Sequence, residues 1–208
     1  MSSQRLVRAL RQPGLAFSVG FALLRGWWYK ISYPARGIRF TAGPGLRVTG
    51  RLIIRGPGQV RFGDRVRVGM TVTPWTHAPN AVIEIGDDTV LNGTRFGCAE
   101  SIRIGRQCIL AEVSILDTNF HSTRADRHDP AAPVRVAPVT LADNVWVAAQ
   151  AGLLPGTSIG QNSVVGFGAV LSGDYPANMI IAGNPAVAVR SIPSLPRPGQ
   201  VVSEGSGG

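Results

Sequence analysis

From Leu141 to Leu171 an aliphatic residue stands at every sixth position: Leu141, Val147, Leu153, Ile159, Val165 and Leu171. Four residues after each of the first five stands Val145, Ala151, Thr157, Ser163 or Ala169. A helix repeats its buried face every 3.6 residues and an ordinary strand every two, so neither accounts for this period with one large and one small buried position. A coil with three short flat sides does, the aliphatic residue filling a corner of the interior and the small one letting the backbone turn. The register continues upstream. Ile85, Leu91, Gly97, Ile104, Leu110 and Leu116 lead successive turns, with one extra residue near Arg103; Phe62 and Val68 lead two more, and Leu46 and Leu52 earlier ones, although Gly58 breaks the pattern. The spacing predicts an all-β chain, a parallel β-helix over most of residues 38 to 172.

Two stretches interrupt the hexamers, Thr73 to Asn80 and Ser122 to Val136, and an excursion from a rigid solenoid is where a binding loop is expected. The expected organisation is a basic, apolar helical segment at 1–37, the β-helix at 38–192 with its loop at 122–136, and a Pro-, Ser- and Gly-rich tail without fixed structure at 193–208. Pro185 closes the repeat region, and Val187 to Ile192 form a last strand or short helix. With 208 residues the chain has room for one such domain.

Charge changes the picture at the N-terminus. The net charge is +9, yet residues 1–61 hold eleven Lys and Arg and no acid, the first acid being Asp64. Such a segment suits a membrane surface or another polyanion. Nucleic acid is not expected as the partner: no recognition module is present, and aromatics interleave with bases only at Trp27, Trp28 and Tyr29. The apolar stretch Leu15 to Leu24 is about half the ~20 residues of a spanning helix and lacks a small-x-small cleavage site. Arg5, Arg8 and Arg11 before it, and Arg25, Trp27, Trp28, Tyr29 and Lys30 after it, resemble the flanks of an interfacial helix. The competing reading is a helix that caps the open first coil, whose apolar surface and strand edges otherwise stay exposed. Cys98 and Cys108 have no metal or redox spacing and read as packed residues in a cytosolic setting, which includes the inner face of the cell membrane. No metal site is expected.

Three segments, Ile115-Leu-Asp-Thr-Asn-Phe-His121, Ala137-Pro-Val-Thr-Leu-Ala-Asp-Asn-Val-Trp146 and Ile181-Ala-Gly-Asn-Pro-Ala-Val-Ala-Val-Arg190, make the chain resemble the hexapeptide-repeat acyltransferases. The similarity is closest to the sugar O-acetyltransferase branch, with the galactoside, maltose and surface-polysaccharide enzymes. The resemblance implies a left-handed β-helix, a homotrimer and acetyl-CoA as co-substrate. It implies His121 as general base, with Asp117 orienting the imidazole or the acceptor. Acetyl transfer to a sugar hydroxyl requires such a base, because the hydroxyl is barely ionised near pH 7, and an imidazole suits the task. For the acceptor, Asn92 is carried over, Glu100 matches less well, and Trp75 beside His77 offers a ring to stack on a sugar; an irregular loop is the alternative for Trp75 and His77, and a polar turn residue for Asn92. His128 reads as solvated. For acetyl-CoA, Trp146, Ala148, Ala149, Gly166, Phe167 and Gly168 match the wall of the groove between subunits, with turn geometry and subunit packing as competing or coexisting roles. The chain departs from its relatives at Ala148-Ala149, at Phe167, and at Gly173, where a base is common; Arg190 is the remaining candidate for a CoA phosphate.

The function this implies is acetyl-CoA-dependent O-acetylation of a sugar, in a surface polysaccharide or its lipid-linked precursor. N-acetylation of an amino sugar is the near alternative. A non-catalytic β-helix scaffold is the alternative of another class. The zinc carbonic anhydrase on the same solenoid needs closely grouped histidines, which His77, His121 and His128 are not.

Overall fold

The computed structural model describes residues 13–193 and folds the repeat into a three-sided parallel solenoid. The first side stacks Arg39–Ala42, Gln59–Phe62, Val82–Ile85, Ser101–Ile104, Val139–Leu141, Ser158–Ile159 and Asp174–Tyr175. The second stacks Arg47–Val48, Arg67–Gly69, Val90–Asn92, Ile109–Ala111, Trp146–Val147, Val164–Val165 and Met179–Gly183. The third stacks Arg51–Leu52, Thr71–Thr76, Arg95–Cys98, Ser114–Leu116, Gly152–Leu153 and Val170–Leu171. The chain turns a first corner from first to second side, a second corner from second to third, and a third corner from third back to first. Ala186–Ser191 folds back antiparallel on Met179–Gly183, so the last segment is a strand rather than a helix.

The six leaders fall in register as the period requires. Leu141 stacks on Ile159, Val147 on Val165 and Leu153 on Leu171, and all six are buried. The small residue two positions ahead of each leader also points inward, because strand side chains alternate. Where it is polar its hydroxyl is satisfied: Thr157 donates to the Leu171 carbonyl at 3.0 Å and Ser163 to that of Pro176 at 3.2 Å.

Upstream, the register differs from the expected one at four positions. Val48 stacks on Val68 and Ile54 lies beside Pro74, so these two lead in place of Leu46 and Leu52, which are buried two positions ahead of them. Phe96 and Ile115 point inward in line with Leu153, in place of Gly97 and Leu116. The second corner is shorter here: Gly69 pairs with Asn92 and Thr73 with Arg95, so four steps in one coil face three in the next. The third corner of the same coil is longer, at Cys98 to Ser101. The net single extra residue, placed near Arg103 by the period, is the sum of these two opposite changes. At the first corner Asn144, Asn162 and Asn178 adopt left-handed φ of 57°, 59° and 59°. Asparagine tolerates that region, and their amides form a ladder at 3.0 and 2.9 Å.

The only helix among the described residues, α1 (Pro13–Ala35), lies across the open first coil. Tyr33 donates to the Leu52 carbonyl and accepts from the Ile54 amide, and its ring packs edge-on to Phe40. Arg25 donates to the carbonyls of Thr49 and Gly50, and Lys30 to that of Gly43. The capping reading of this segment therefore holds. No helix among the described residues is long and apolar enough to cross a membrane. Arg5, Arg8, Arg11 and the tail from residue 194 lie outside the described residues. Cys98 and Cys108 are buried free thiols. Burial raises both, Cys108 to about 11, so neither supplies a thiolate nucleophile near neutral pH.

Gly26 sits where α1 meets the first coil, and a Cβ there would overlap the Leu46 carbonyl oxygen. Helix propensity alone makes Gly26→Ala stabilising by about 1 kcal/mol, whereas overpacking costs about 1–3 kcal/mol. Gly26→Ala is expected to lower the melting temperature in differential scanning calorimetry. A rise would mean that α1 does not rest on the solenoid.

Candidate active site

At the third corner a carboxylate organises the backbone. Asp117 is buried, and burying a charged carboxylate is tolerable only with hydrogen-bond donors around it. It accepts the amides of Ala99 at 2.7 Å, Glu100 at 2.8 Å and Ser101 at 2.7 Å, and the Cys98 thiol donates to it at 3.3 Å. These donors are the lengthened corner of the preceding coil. Asp117 thus fastens one corner to the next, and the expectation that it orients the His121 imidazole is corrected: its oxygens are taken by residues 98–101.

From Asp117 the chain leaves the solenoid and returns at Ala137. The base of this excursion is closed by the Ala137 amide on the Asp117 carbonyl at 2.8 Å, the Asn119 amide on that of Arg135 at 3.1 Å, and a bridge of Thr118 to Val136. Phe120 has a left-handed φ of 60°, its amide donating to Thr118 Oγ1 at 3.1 Å. Its ring lies over Gly97, with Cζ 2.6 Å from where a Cβ would stand. Gly97, which the period placed as a leader, is instead the floor under Phe120. The Phe120 ring meets His77 edge-on at 4.6 Å, and His77 lies on Trp75 at 4.7 Å. The Arg55 guanidinium is 5.8 Å from the Trp75 ring. Partial burial among these rings holds the His77 imidazole below its ordinary pKa of 6.5, with Asp117 opposing in the smaller measure.

His121 follows at once. It is exposed and lines an open cleft of about 730 Å³ with Thr118, Asn119, Arg127, Leu154 and Pro155. The third corner thus gathers Trp75, His77, Glu100, Asp117 and His121 on one ridge. Asn92 is elsewhere, at the second corner, where it ends Val90–Asn92 and its side-chain oxygen faces Gly69. His128 is exposed in the loop. Sequence reasoning missed Phe120, Gly97 and Arg55; a glycine at a position reserved for a large apolar residue was the available signal.

The residues matched to a CoA groove share the second corner and the adjoining second side. Their backbone is committed to the coil: the Ala148 amide donates to Val165 at 2.9 Å and that of Gly168 to Ala149 at 3.0 Å. What they present outward is Trp146 and Phe167, both exposed, with small residues Ala148, Ala149 and Gly166 between coils. An aromatic and small-residue wall of this kind suits a pantetheine arm and an adenine ring. Arg190 is exposed on the last strand, opposite Ile180. Among the described residues no three His, Cys, Asp or Glu side chains group to hold a metal ion.

The comparisons with known proteins agree with this architecture. The family description "Bacterial transferase hexapeptide (six repeats)" matches residues 138–173. The putative lipopolysaccharide biosynthesis O-acetyl transferase WbbJ of Escherichia coli is 30% identical over 148 residues, 66% of this chain and 74% of that protein. The galactoside O-acetyltransferase of Escherichia coli is 40% identical over 55 residues, 26% of this chain and 27% of its own, so against that relative the chain spans about a quarter of its length. A solved AntD variant, an N-acyltransferase from Bacillus cereus in complex with a nucleotide sugar and coenzyme A, shares the fold at 15% identity, covering 78% of this chain and 90% of its own with a TM-score of 0.57. The fold defines a parallel β-helix of the hexapeptide class. The chain belongs to the bacterial hexapeptide-repeat transferases, in the O-acetyltransferase branch that WbbJ represents.

Asp117→Ala would take the acceptor from three part-buried amides, hydrogen bonds to a charged group contributing ~1.5–3 kcal/mol each. A loss of about 3 kcal/mol or more is expected, read as a melting temperature lower by roughly 6–12 °C. A variant melting like the wild type would return Asp117 to the list of purely chemical groups. His77 is expected to titrate below 6.5 by NMR. Because it binds a proton less readily folded than unfolded, it removes stability as pH falls through its unfolded value and none above it. A midpoint at or above 6.5 would show that the ring is not packed as described.

Proposed function

We propose that the protein transfers the acetyl group of acetyl-CoA to a sugar hydroxyl of a surface polysaccharide or its lipid-linked precursor, with His121 as general base. The observation that carries the reading is the placement of His121, an exposed imidazole on a cleft, directly after an aromatic ledge of Trp75, His77 and Phe120. The family membership supplies the reaction class; WbbJ carries lipopolysaccharide biosynthesis in its name. With both thiols buried, no cysteine stands ready to take the acyl group, and direct transfer follows. The imidazole takes the hydroxyl proton as the oxygen attacks the thioester carbonyl. The oxyanion then collapses, the C–S bond breaks, and the imidazolium returns the proton to the CoA sulfur.

The ledge suits the acceptor, since sugar rings stack their C–H faces on aromatic planes. The donor belongs at the second corner against Trp146 and Phe167, with Arg190 toward a phosphate. Third-corner and second-corner residues lie at opposite edges of the third side. In a homotrimer each groove between neighbours would pair the second corner of one copy with the third corner of the next, which also gives Asn92 a place beside a neighbour's His121. Peripheral contact with the inner face of the cell membrane through residues 1–37 belongs to the same reading.

Thiol release from acetyl-CoA with a panel of free, nucleotide-linked and amino sugars tests it. Removing a general base costs ~100- to 10,000-fold in kcat, so His121→Ala is expected to lose that much with an unchanged melting temperature. Equal turnover by both proteins would remove His121 from the chemistry, and turnover with amino sugars alone would shift the reaction to N-acetylation.

A further inference from the structure

One face of α1 is spent on the solenoid and the opposite face is not. Ala22, Gly26, Tyr29 and Tyr33 recur at helical spacing and meet the first coil. Phe17, Phe21, Leu24, Trp28 and Ile31 recur at the same spacing half a turn away, each between 47 and 78% exposed, with Trp27 and Leu23 exposed at their side. A contiguous aromatic and aliphatic stripe of this length is not ordinary solvent-facing surface.

The charge at the same end of the molecule bears on what covers the stripe. Arg36, Arg39, Arg47, Arg51 and Arg55, on α1's exit and the first coil, are exposed. No acid precedes Asp64 in the chain. A second copy docking stripe to stripe would bring the same unbalanced arginines together, and their repulsion opposes that pairing. An anionic lipid surface complements both features at once, taking the apolar stripe below its headgroups and the arginines at them. We infer that the outer stripe of α1 is a lipid-inserting face that seats the capped end of the solenoid on an anionic bilayer.

This deepens the acetyltransferase reading and, for its consequence, rests on it. Arg55 stands at the third corner of the first coil, Trp75 at that of the second, and His121 leaves after the third-side strand of the fourth. Three strand spacings of about 4.8 Å put that strand about 14 Å beyond the first coil. With α1 seated, Arg55, Trp75, His77, Phe120 and His121 form a line running away from the membrane. An acceptor sugar joined to a lipid through phosphate would lie along it, its phosphate near Arg55 and its ring near Trp75.

The test needs no turnover, so it can fail independently of the enzymatic reading. The full chain is sedimented with vesicles of phosphatidylglycerol and, separately, of phosphatidylcholine, beside the double variant Phe21→Ser, Trp28→Ser. The wild type is expected to partition onto phosphatidylglycerol at least tenfold more than the variant, more weakly as salt rises, and little onto phosphatidylcholine. The variant should keep its melting temperature and its thiol release with a water-soluble sugar, since neither residue touches the site. Equal partition of both proteins would overturn the inference. A wild type that sediments as a larger assembly in the absence of vesicles, reduced by the substitutions, would overturn it in favour of an interface between copies.

Discussion

Everything outward in this molecule depends on the closure of its coils. Each side is two to six residues long, and its amides and carbonyls bond to the coils before and after it. The backbone is thereby consumed along the solenoid axis, and the interior is filled by two inward side chains per side. Only the corners and outer faces remain for chemistry. A corner can lengthen by a residue or two without breaking the stack, provided its freed amides find an acceptor, and the third corner shows how: Asp117 collects the amides of Ala99, Glu100 and Ser101.

That anchoring gives the excursion after Asp117 a fixed base. Its base is closed by backbone bonds to Asp117 and Arg135, and the Phe120 ring rests on the space left by Gly97. His121 inherits a defined position from a glycine one coil away and a ring on its own neighbour. The same logic ends the solenoid. A first coil has no coil before it, so α1 covers its interior and takes up the free carbonyls of Gly43, Thr49 and Gly50 through Lys30 and Arg25. A helix large enough for that task has a second face, and its composition gives the capped end a character unlike the rest of the surface.

The repeat was the legible part of the chain. From residue 141 onward the positions of Leu141, Val147, Leu153, Ile159, Val165 and Leu171 were readable because six residues per side leave no slack. Upstream the same rule misplaced Gly97 and Leu116, because a shortened second corner and a lengthened third one nearly cancel in a count along the chain. His121 stood out by its motif and by the interruption that follows it. The role of Asp117 did not, since a residue four positions from a histidine suggests a partner for it, whereas the folded chain gives that carboxylate to backbone donors sixteen to eighteen positions away.

The amino-acid sequence by itself determined the three-sided solenoid, its approximate extent and the residues that fill it, because periodicity and burial are properties of spacing. It also determined the basic, acid-free N-terminal third and its apolar segment. Only the tertiary structure decided that Trp75, His77 and Phe120 form one ledge leading to His121, and that Asn92 and the Trp146 wall stand at a different corner. Only it decided which face of α1 is used and which is left open. These are questions of where successive coils come to lie over one another, and contacts between coils depend on the length of every corner passed on the way.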